Sequence, residues 1–318
     1  MQSYLKSRPV WIQLLLFMGM AVGIFMVVSL IGMAILSPLT GISMFELSDT
    51  SKWDIKSPGM LTYVRGMLLI QFLGLFVIPS LLFAYFSDPA PLDYIGLNRN
   101  PKAIYWIAGI AVLLFAIPLV EYTGLINRKI NFGGAQQWMK SMEDEAAQQI
   151  KFMLGRRNIG ELISNVIFIA VFAGVGEELF FRGVLQRLFI KACKHAWLGI
   201  IVTAILFSAL HIQFFGFIPR LLLGILLGAL YWYSGSLWPS IIAHFVYDAF
   251  FIVLSYFQPQ FLENTEATLF NESARTILAL VSAVIVGLLI WVMKKNSTTT
   301  YDKVYRNDSI AEHQDLSF

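Results

Sequence analysis

The sequence predicts an all-α, polytopic membrane protein with about eight transmembrane helices. Hydrophobic residues make up 57% of the 318 residues and charged residues only 14%, and the mean hydropathy is +0.68. About a quarter of the residues in soluble domains are charged, so a soluble globule of this composition would expose much apolar surface. The composition therefore excludes a disordered chain, a basic nucleic-acid-binding module and most soluble enzymes, and it makes the lipid bilayer the expected surroundings.

Eight apolar stretches approach the roughly 20 residues that a helix needs to cross a membrane. They lie at residues 10–36, 63–86, 103–120, 159–188, 197–215, 217–233, 237–257 and 275–293. No soluble domain interrupts them. We therefore predict a single integral-membrane domain over residues 1–318, in which residues 296–318 form a polar, mobile C-terminal tail.

The lysine and arginine residues predict how the spans are oriented. An even number of spans places both termini on one side, and basic residues accumulate in short cytoplasmic loops, so we expect both termini to be cytoplasmic. The basic residues on that side are Lys6, Arg8, Arg99, Lys102, Arg187, Lys191, Lys194, Lys294, Lys295, Lys303 and Arg306. The longer loop at 121–158 breaks this pattern. Its stretch 135–154 is expected to form a helix at the membrane interface, and the loop is not expected to gate a substrate.

Ionisable residues within membrane spans are costly and usually functional. The fourth span contains Glu177, Glu178 and Arg182. Glu178 and Arg182 are four residues apart, so they share a helix face and can neutralise each other. Glu177 points elsewhere and has no partner on its own helix, which favours a general base. The structural alternative is an ion pair beside a glutamate at a helix end.

Two histidines extend this set to three spans. His211 lies in the fifth span, and His244 stands four residues before Asp248 in the seventh. With Glu177, these residues could activate a water molecule and stabilise the oxyanion that forms when water attacks an amide. The same four side chains could instead hold one zinc ion. HExxH and GxSxG motifs are absent, and the single cysteine can form neither a disulfide within the chain nor a cysteine–histidine pair.

Three motifs follow one another in this part of the chain. They read Glu177-Glu178-x-x-x-Arg182, Phe207-x-x-x-His211 and His244-x-x-x-Asp248. In this order and spacing, they resemble the signature of the CAAX protease and bacteriocin-processing family of intramembrane proteases, also called the ABI or Rce1-like family. The resemblance covers residues 160–250, which would form the catalytic core.

The resemblance implies an eight-helix intramembrane endopeptidase that hydrolyses a peptide bond of a membrane-associated protein or peptide. By analogy, Glu177 and His211 activate the attacking water, and His244 lines the oxyanion site with Asp248. The supporting residues would be Glu178, Arg182 and Phe207. No cofactor is implied as a requirement, with one zinc ion on Glu177, His211, His244 and Asp248 as the alternative. The bacterial character of the resemblance indicates a bacterial inner membrane.

Asp248 departs from the pattern of members that cleave prenylated proteins, which have asparagine at this position. An ionised aspartate cannot donate a hydrogen bond to an oxyanion. Asp248 is therefore protonated, helps to bind a metal or, as we favour, orients His244. This departure also argues against assuming a prenylated substrate.

Two other functions fit the same residues. The chain could be a non-catalytic bacteriocin-immunity or regulatory protein on this scaffold, which should tolerate the loss of the motif residues. It could also be a transporter with a proton relay, although the sequence shows no inverted repeat.

Overall fold

The computed structural model describes residues 4–47, 50, 53–54, 56–263 and 268–305, and over these residues the regular structure is helical, without a strand. The main helices are α1 (Val10–Thr40), α2 (Pro58–Ser87), α3 (Ala103–Phe115), α4 (Ile117–Arg128), α5 (Gln136–Leu154), α6 (Ile159–Cys193), α7 (Ala196–Ala209), α8 (Phe217–Ser234), α9 (Trp238–Phe257) and α10 (Glu272–Asn296). Short helical segments occupy Met44–Leu47, Pro91–Tyr94, Gly133–Ala135, Phe214–Gly216 and Gln260–Glu263.

The predicted membrane topology is confirmed in outline. Within the described residues, six helices are long and apolar enough to cross a membrane, and the bent pair α3–α4 adds a seventh. The eighth predicted span corresponds to the shorter apolar helix α7, which is below the length of a full span, so the count of about eight agrees approximately. The protein is therefore a polytopic helical membrane protein whose outer surface contacts lipid.

Two predicted boundaries are wrong. The third span continues past residue 120 to Arg128, with a 40° bend between α3 and α4. Pro118 stands at the start of α4, where it lacks the N–H that would continue the hydrogen-bond ladder. The fifth span ends at Ala209 instead of 215, because the chain turns sharply just after His211, as described below.

Several contacts join the ends of helices at one end of the bundle, which we call the basic end because Lys6 and Lys102 lie there. Lys6, before α1, forms an ion pair with Asp88, after α2, at 2.8 Å. Lys102, before α3, donates to the carbonyl of Asn296 at the end of α10, at 2.7 Å. The first and last main helices therefore begin and end at the same end of the bundle, as the even number of spans predicts.

Part of the predicted C-terminal tail is packed on the bundle. Residues 301–305 are helical, and the hydroxyl of Tyr305, which is only 4% exposed, donates to the carbonyl of Arg187 at 2.8 Å. The start of the tail is thus docked at the basic end rather than mobile. The remainder of the predicted tail, 306–318, lies outside the described residues.

Helix α6 is the centre of the bundle and packs against α2, α7 and α9. A methyl group at Gly174 of α6 would lie 3.1 Å from both the carbonyl oxygen of Ile241 and the amide nitrogen of Phe245 on α9. Only glycine allows the two backbones to approach this closely. This approach brings the histidine motif of α9 against the glutamate motif of α6.

Candidate active site between helices α2, α5, α6, α7 and α9

Helix α6 presents both glutamates from an unusually wound segment. The residues Ala173–Gln186 form a π-helix, with hydrogen bonds from i to i+5. Such windings are rare, occur mostly as single turns and are frequent at functional sites. In this segment the side chain of Glu178 is fully buried, as is that of Arg182, whereas Glu177 is only partly buried. The winding thus separates the two neighbouring carboxylates into different surroundings.

The first of these surroundings is a buried charge network. Arg182 Nη1 donates to Glu178 Oε1 at 2.6 Å, which confirms the predicted pair, and Nη2 donates to the carbonyl of Gly224 on α8 at 3.1 Å. His244 Nδ1 lies 2.9 Å from the same Glu178 oxygen and donates to it. Asp248 Oδ2 lies 3.5 Å from His244 Nε2, so the two share a face of α9 as predicted. Each charge in this apolar interior therefore has an opposite neighbour.

Phe207 connects this network to the second histidine. Its ring lies 4.6 Å from the guanidinium of Arg182, and its centroid lies 5.0 Å from that of His211 and 6.2 Å from that of His244. The carbonyl of Phe207 is 2.8 Å from His211 Nδ1. A ring nitrogen beside a carbonyl must donate, which leaves Nε2 of neutral His211 as an acceptor. His211 is therefore oriented with its basic nitrogen free.

The second environment is a cavity that contains both Glu177 and His211. Its volume is about 290 Å³, and its wall is formed mainly by apolar side chains of α2, α5 and α6. Gln71 and Gln149 supply its other polar groups. Of the four residues that sequence analysis placed together, two thus line one cavity. His244 and Asp248 belong to the buried network beside it.

Helix α5 forms one wall of this cavity, through Gln149, Ile150 and Met153. Part of the loop at 121–158, which was not expected to gate a substrate, therefore lines the cavity. Sequence analysis correctly predicted a helix here. It could not show that the helix folds back over the end of the bundle opposite the basic end.

A polar cluster holds the end of α5 against the rim. Asn165 Nδ2 on α6 donates to the carbonyl of Met153 at 2.9 Å. Arg65 on α2 donates to Asn165 Oδ1 at 3.1 Å and to Glu161 at 2.5 Å. The wall that α5 contributes is thus fixed to both neighbouring helices.

The arrangement does not fit a zinc site. Among the described residues, which include all four proposed ligands, no three histidine, cysteine, aspartate or glutamate side chains are grouped so that they could hold a metal ion. His244 Nδ1 is already engaged by Glu178.

Sequence analysis missed several polar residues near the site. Gln71 and Gln149 line the cavity, while Asn127 and Arg220 bind the turn after His211. Gln71 and Arg220 were detectable as lone polar residues in apolar stretches. Asn127 and Gln149 gave no such signal, because they lie in the polar region that was assigned to a loop.

Comparison with known proteins is consistent with the motifs. Residues 159–250 match the family model described as type II CAAX prenyl endopeptidase Rce1-like. The uncharacterized protein YpbD of Bacillus subtilis is 32% identical over 93 residues, which cover 28% of this chain and 44% of that protein. An uncharacterized 24.3 kDa protein of Escherichia coli is 24% identical over 155 residues, covering 48% of this chain and 60% of that protein.

The matched regions thus span about half the length of these curated relatives. No solved structure matches the chain. The segment that matches the family begins with α6, ends within α9 and contains all three motifs. The predicted family resemblance is therefore confirmed: residues 159–250 of this membrane protein are similar to the Rce1-like family.

Proposed function

We propose that the protein is an intramembrane endopeptidase that hydrolyses a peptide bond of a membrane-associated protein or peptide. One observation carries the proposal: Glu177 and His211 line a single cavity within the helix bundle. Glu178, by contrast, is occupied by Arg182 and His244. One glutamate of the pair is therefore free for chemistry, and its neighbour is committed to the fold.

The proposed reaction uses a water molecule held between Glu177 and His211. The water oxygen attacks the carbonyl carbon of the scissile peptide while Glu177 accepts one proton of the water. The Nε2 atom of His211 accepts a hydrogen bond from the other hydrogen of the water. The oxyanion then collapses, the C–N bond breaks, and the proton on Glu177 passes to the leaving amine. The products are a new carboxylate and a new amino terminus.

His244 is the proposed oxyanion donor. Its Nδ1–H is directed to Glu178, so the other ring nitrogen must also be protonated to donate. Glu178 lies 2.9 Å from Nδ1 and Asp248 lies 3.5 Å from Nε2, so each ring nitrogen faces a carboxylate, and the Nε2–H is shared between Asp248 and the oxyanion as the oxyanion forms. We therefore assign Asp248 to the orientation and charging of His244, and Glu178, Arg182 and Phe207 to supporting roles.

The proposed location is a bacterial inner membrane, with the basic end and both termini in the cytoplasm. The cavity is formed by the first half of α2, by α5 and by the first half of α6, all in the half of the bundle away from the basic end. Under this proposal, substrates reach the site from the non-cytoplasmic half of the membrane. A polar groove of about 440 Å³ lies next to the cavity, and Ile150 lines both. The groove offers a path for a peptide chain.

The test compares the N-termini of membrane proteins and peptides in cells that make the intact protein or Glu177→Ala at matched levels. Glu145→Gln is the matched control, since Glu145 is an exposed carboxylate on α5. New termini that appear with the intact protein and the control, but not with Glu177→Ala, would support proteolysis and identify the substrate. Identical profiles from folded, equally abundant proteins would refute it and favour a non-catalytic or transport function.

A further inference from the structure

We propose that Asn127 and Arg220 are positioning residues that clamp the turn 210–217 and thereby direct His211 into the cavity. The inference depends on the proposed function for its catalytic meaning. The geometry of the clamp can be tested without that function. Asn127 lies outside the segment that matches the family, so no motif identifies it.

The turn after α7 has an unfavourable backbone. Ile212, the residue after His211, has a φ of 54°. A β-branched residue in this left-handed region is a true outlier, because its side chain crowds the backbone. Such conformations persist only where the surrounding structure enforces them, and they cluster at functional sites. Contacts with neighbouring residues must therefore hold this turn in its observed conformation.

Asn127 is the first part of the clamp. It extends from the end of α4, is only 1% exposed, and donates from Nδ2 to the carbonyl of Phe214 at 2.6 Å. Its Oδ1 accepts the backbone N–H of Ile218 at 2.9 Å. One buried amide thus joins the turn to the first residues of α8 and anchors both to α4.

Arg220 is the second part. It donates from Nη1 to Gln213 Oε1 at 2.6 Å and from Nη2 to the backbone carbonyl of Gln213. Arg220 therefore joins the turn, two residues after His211, to helix α8.

Two separate sets of contacts thus hold His211. The carbonyl of Phe207 fixes the ring through Nδ1 from the helical side, and the clamp fixes the backbone from the side of the turn. Without the clamp, Ile212 is expected to relax toward a favourable backbone conformation. His211 would then leave the cavity while the buried network of Glu178 and His244 stays in place.

Carbethoxylation by diethyl pyrocarbonate, followed site by site with mass spectrometry, measures this directly on the full-length protein in detergent micelles. His195 is exposed and serves as the internal reference, and His244 is buried and reports global unfolding. In Asn127→Ala, the labelling rate of His211 relative to His195 should rise about thirtyfold, the factor that the two lost hydrogen bonds give in an opening equilibrium. His244 should stay protected.

Asn296→Ala is the matched control. Asn296 bonds only within its own helix through its side chain, to the carbonyl of Val292, at the basic end. It should leave the His211 rate unchanged. Arg220→Met should reproduce the effect of Asn127→Ala. Ile212→Gly, which removes the reason for the turn to open, should reduce that effect when combined with Asn127→Ala.

A His211 rate that stays at the control value in Asn127→Ala, with His244 protected, would overturn the proposal. Labelling of His244 in Asn127→Ala would mean that this variant unfolds. The experiment is then repeated with Asn127→Asp, in which the aspartate still accepts the bond from the Ile218 N–H and loses only the bond donated to Phe214. An unchanged His211 rate in Asn127→Asp would then overturn the proposal.

Activity gives a second readout. Once a cleaved substrate is identified, Asn127→Ala should lower kcat with little change in KM, and should have no further effect in a His211→Ala background. Equal losses in both backgrounds would show a merely structural role. If Glu177→Ala changes no termini, the proposed function fails, yet the labelling experiment still decides whether the clamp exists.

Discussion

The buried pair Glu178–Arg182 allows a prediction whose size follows from the structure. The side chain of Arg182 is 1% exposed and that of Glu178 is 0% exposed. In Arg182→Met, the volume is nearly kept, but Glu178 loses its 2.6 Å partner and Gly224 loses its 3.1 Å donor. Breaking a buried pair from one side costs about 3–5 kcal/mol, and the lost hydrogen bond from the charged guanidinium to Gly224 adds about 1.5–3 kcal/mol, while His244 stays 2.9 Å from Glu178 and offsets part of this loss. We therefore expect the free energy of unfolding to fall by about 4 kcal/mol.

The double variant Glu178→Gln/Arg182→Met separates the charge from the packing. It removes both members of the pair, and replacing a whole buried pair is often close to neutral. The double variant should therefore be more stable than Arg182→Met alone, although it carries one more substitution. That inverted order is the specific signature of an uncompensated buried charge.

The assay is reversible unfolding in mixed micelles of mild detergent and dodecyl sulfate, followed by tryptophan fluorescence. Arg99→Met is the matched control, because Arg99 has an exposed side chain at the basic end, and it should lie within about 0.5 kcal/mol of the parent protein. If Arg182→Met lies within about 1 kcal/mol of the parent, or if the double variant is the less stable one, the buried pair does not stabilise the fold as argued.

Three further predictions follow from the fold and the site. Gly174→Leu should separate α6 from α9 and destabilise the protein by about 1–3 kcal/mol, measured in the same micelles; an unchanged midpoint would show that the close approach is not required. Burial raises the pKa of the Asp88 carboxyl. Hydrogen bonds from Lys6 and from the Ala90 N–H lower this pKa by more than burial raises it, so the net pKa lies below the usual value. The pair of Asp88 with Lys6 should therefore stabilise the protein at neutral pH by less than about 1 kcal/mol, with the difference from Asp88→Asn vanishing as the pH falls below about 4; a difference that persists at lower pH would contradict this. Because no three potential ligands are grouped among the described residues, a zinc chelator should leave both the thermal midpoint and any cleavage unchanged, and loss of either on chelation would show a metal site.

Much of the fold could be predicted from the sequence because hydrophobic length is a direct physical requirement of the bilayer. The eight spans, the helix at 135–154 and the pairing of Glu178 with Arg182 all follow from local patterns. The bend at Pro118 was visible only as a proline at the end of an apolar run, and the early end of α7 did not follow, since it depends on how the chain packs beyond one helix. A run of apolar residues does not reveal that Ile212 turns the chain back.

The candidate site shows the same limit. The motifs selected Glu177, His211 and His244, but helical spacing alone could not show which of them share a cavity. The packing of α6 against its neighbours places Glu178 in the network and Glu177 in the cavity. The contribution of α5 and the clamp at Asn127 depends on long-range contacts, for which the sequence carries no local signal.

The most direct test of the central claim compares the two adjacent glutamates. Glu177→Gln and Glu178→Gln make the same chemical change one residue apart, and each variant is measured for its unfolding midpoint and for the membrane-protein N-termini that it generates. We predict that Glu177→Gln keeps the parent midpoint and loses every terminus that depends on the protein, whereas Glu178→Gln lowers the midpoint. Full cleavage by Glu177→Gln, or a loss of stability in that variant equal to that of Glu178→Gln, would contradict the division between a reactive and a structural carboxylate.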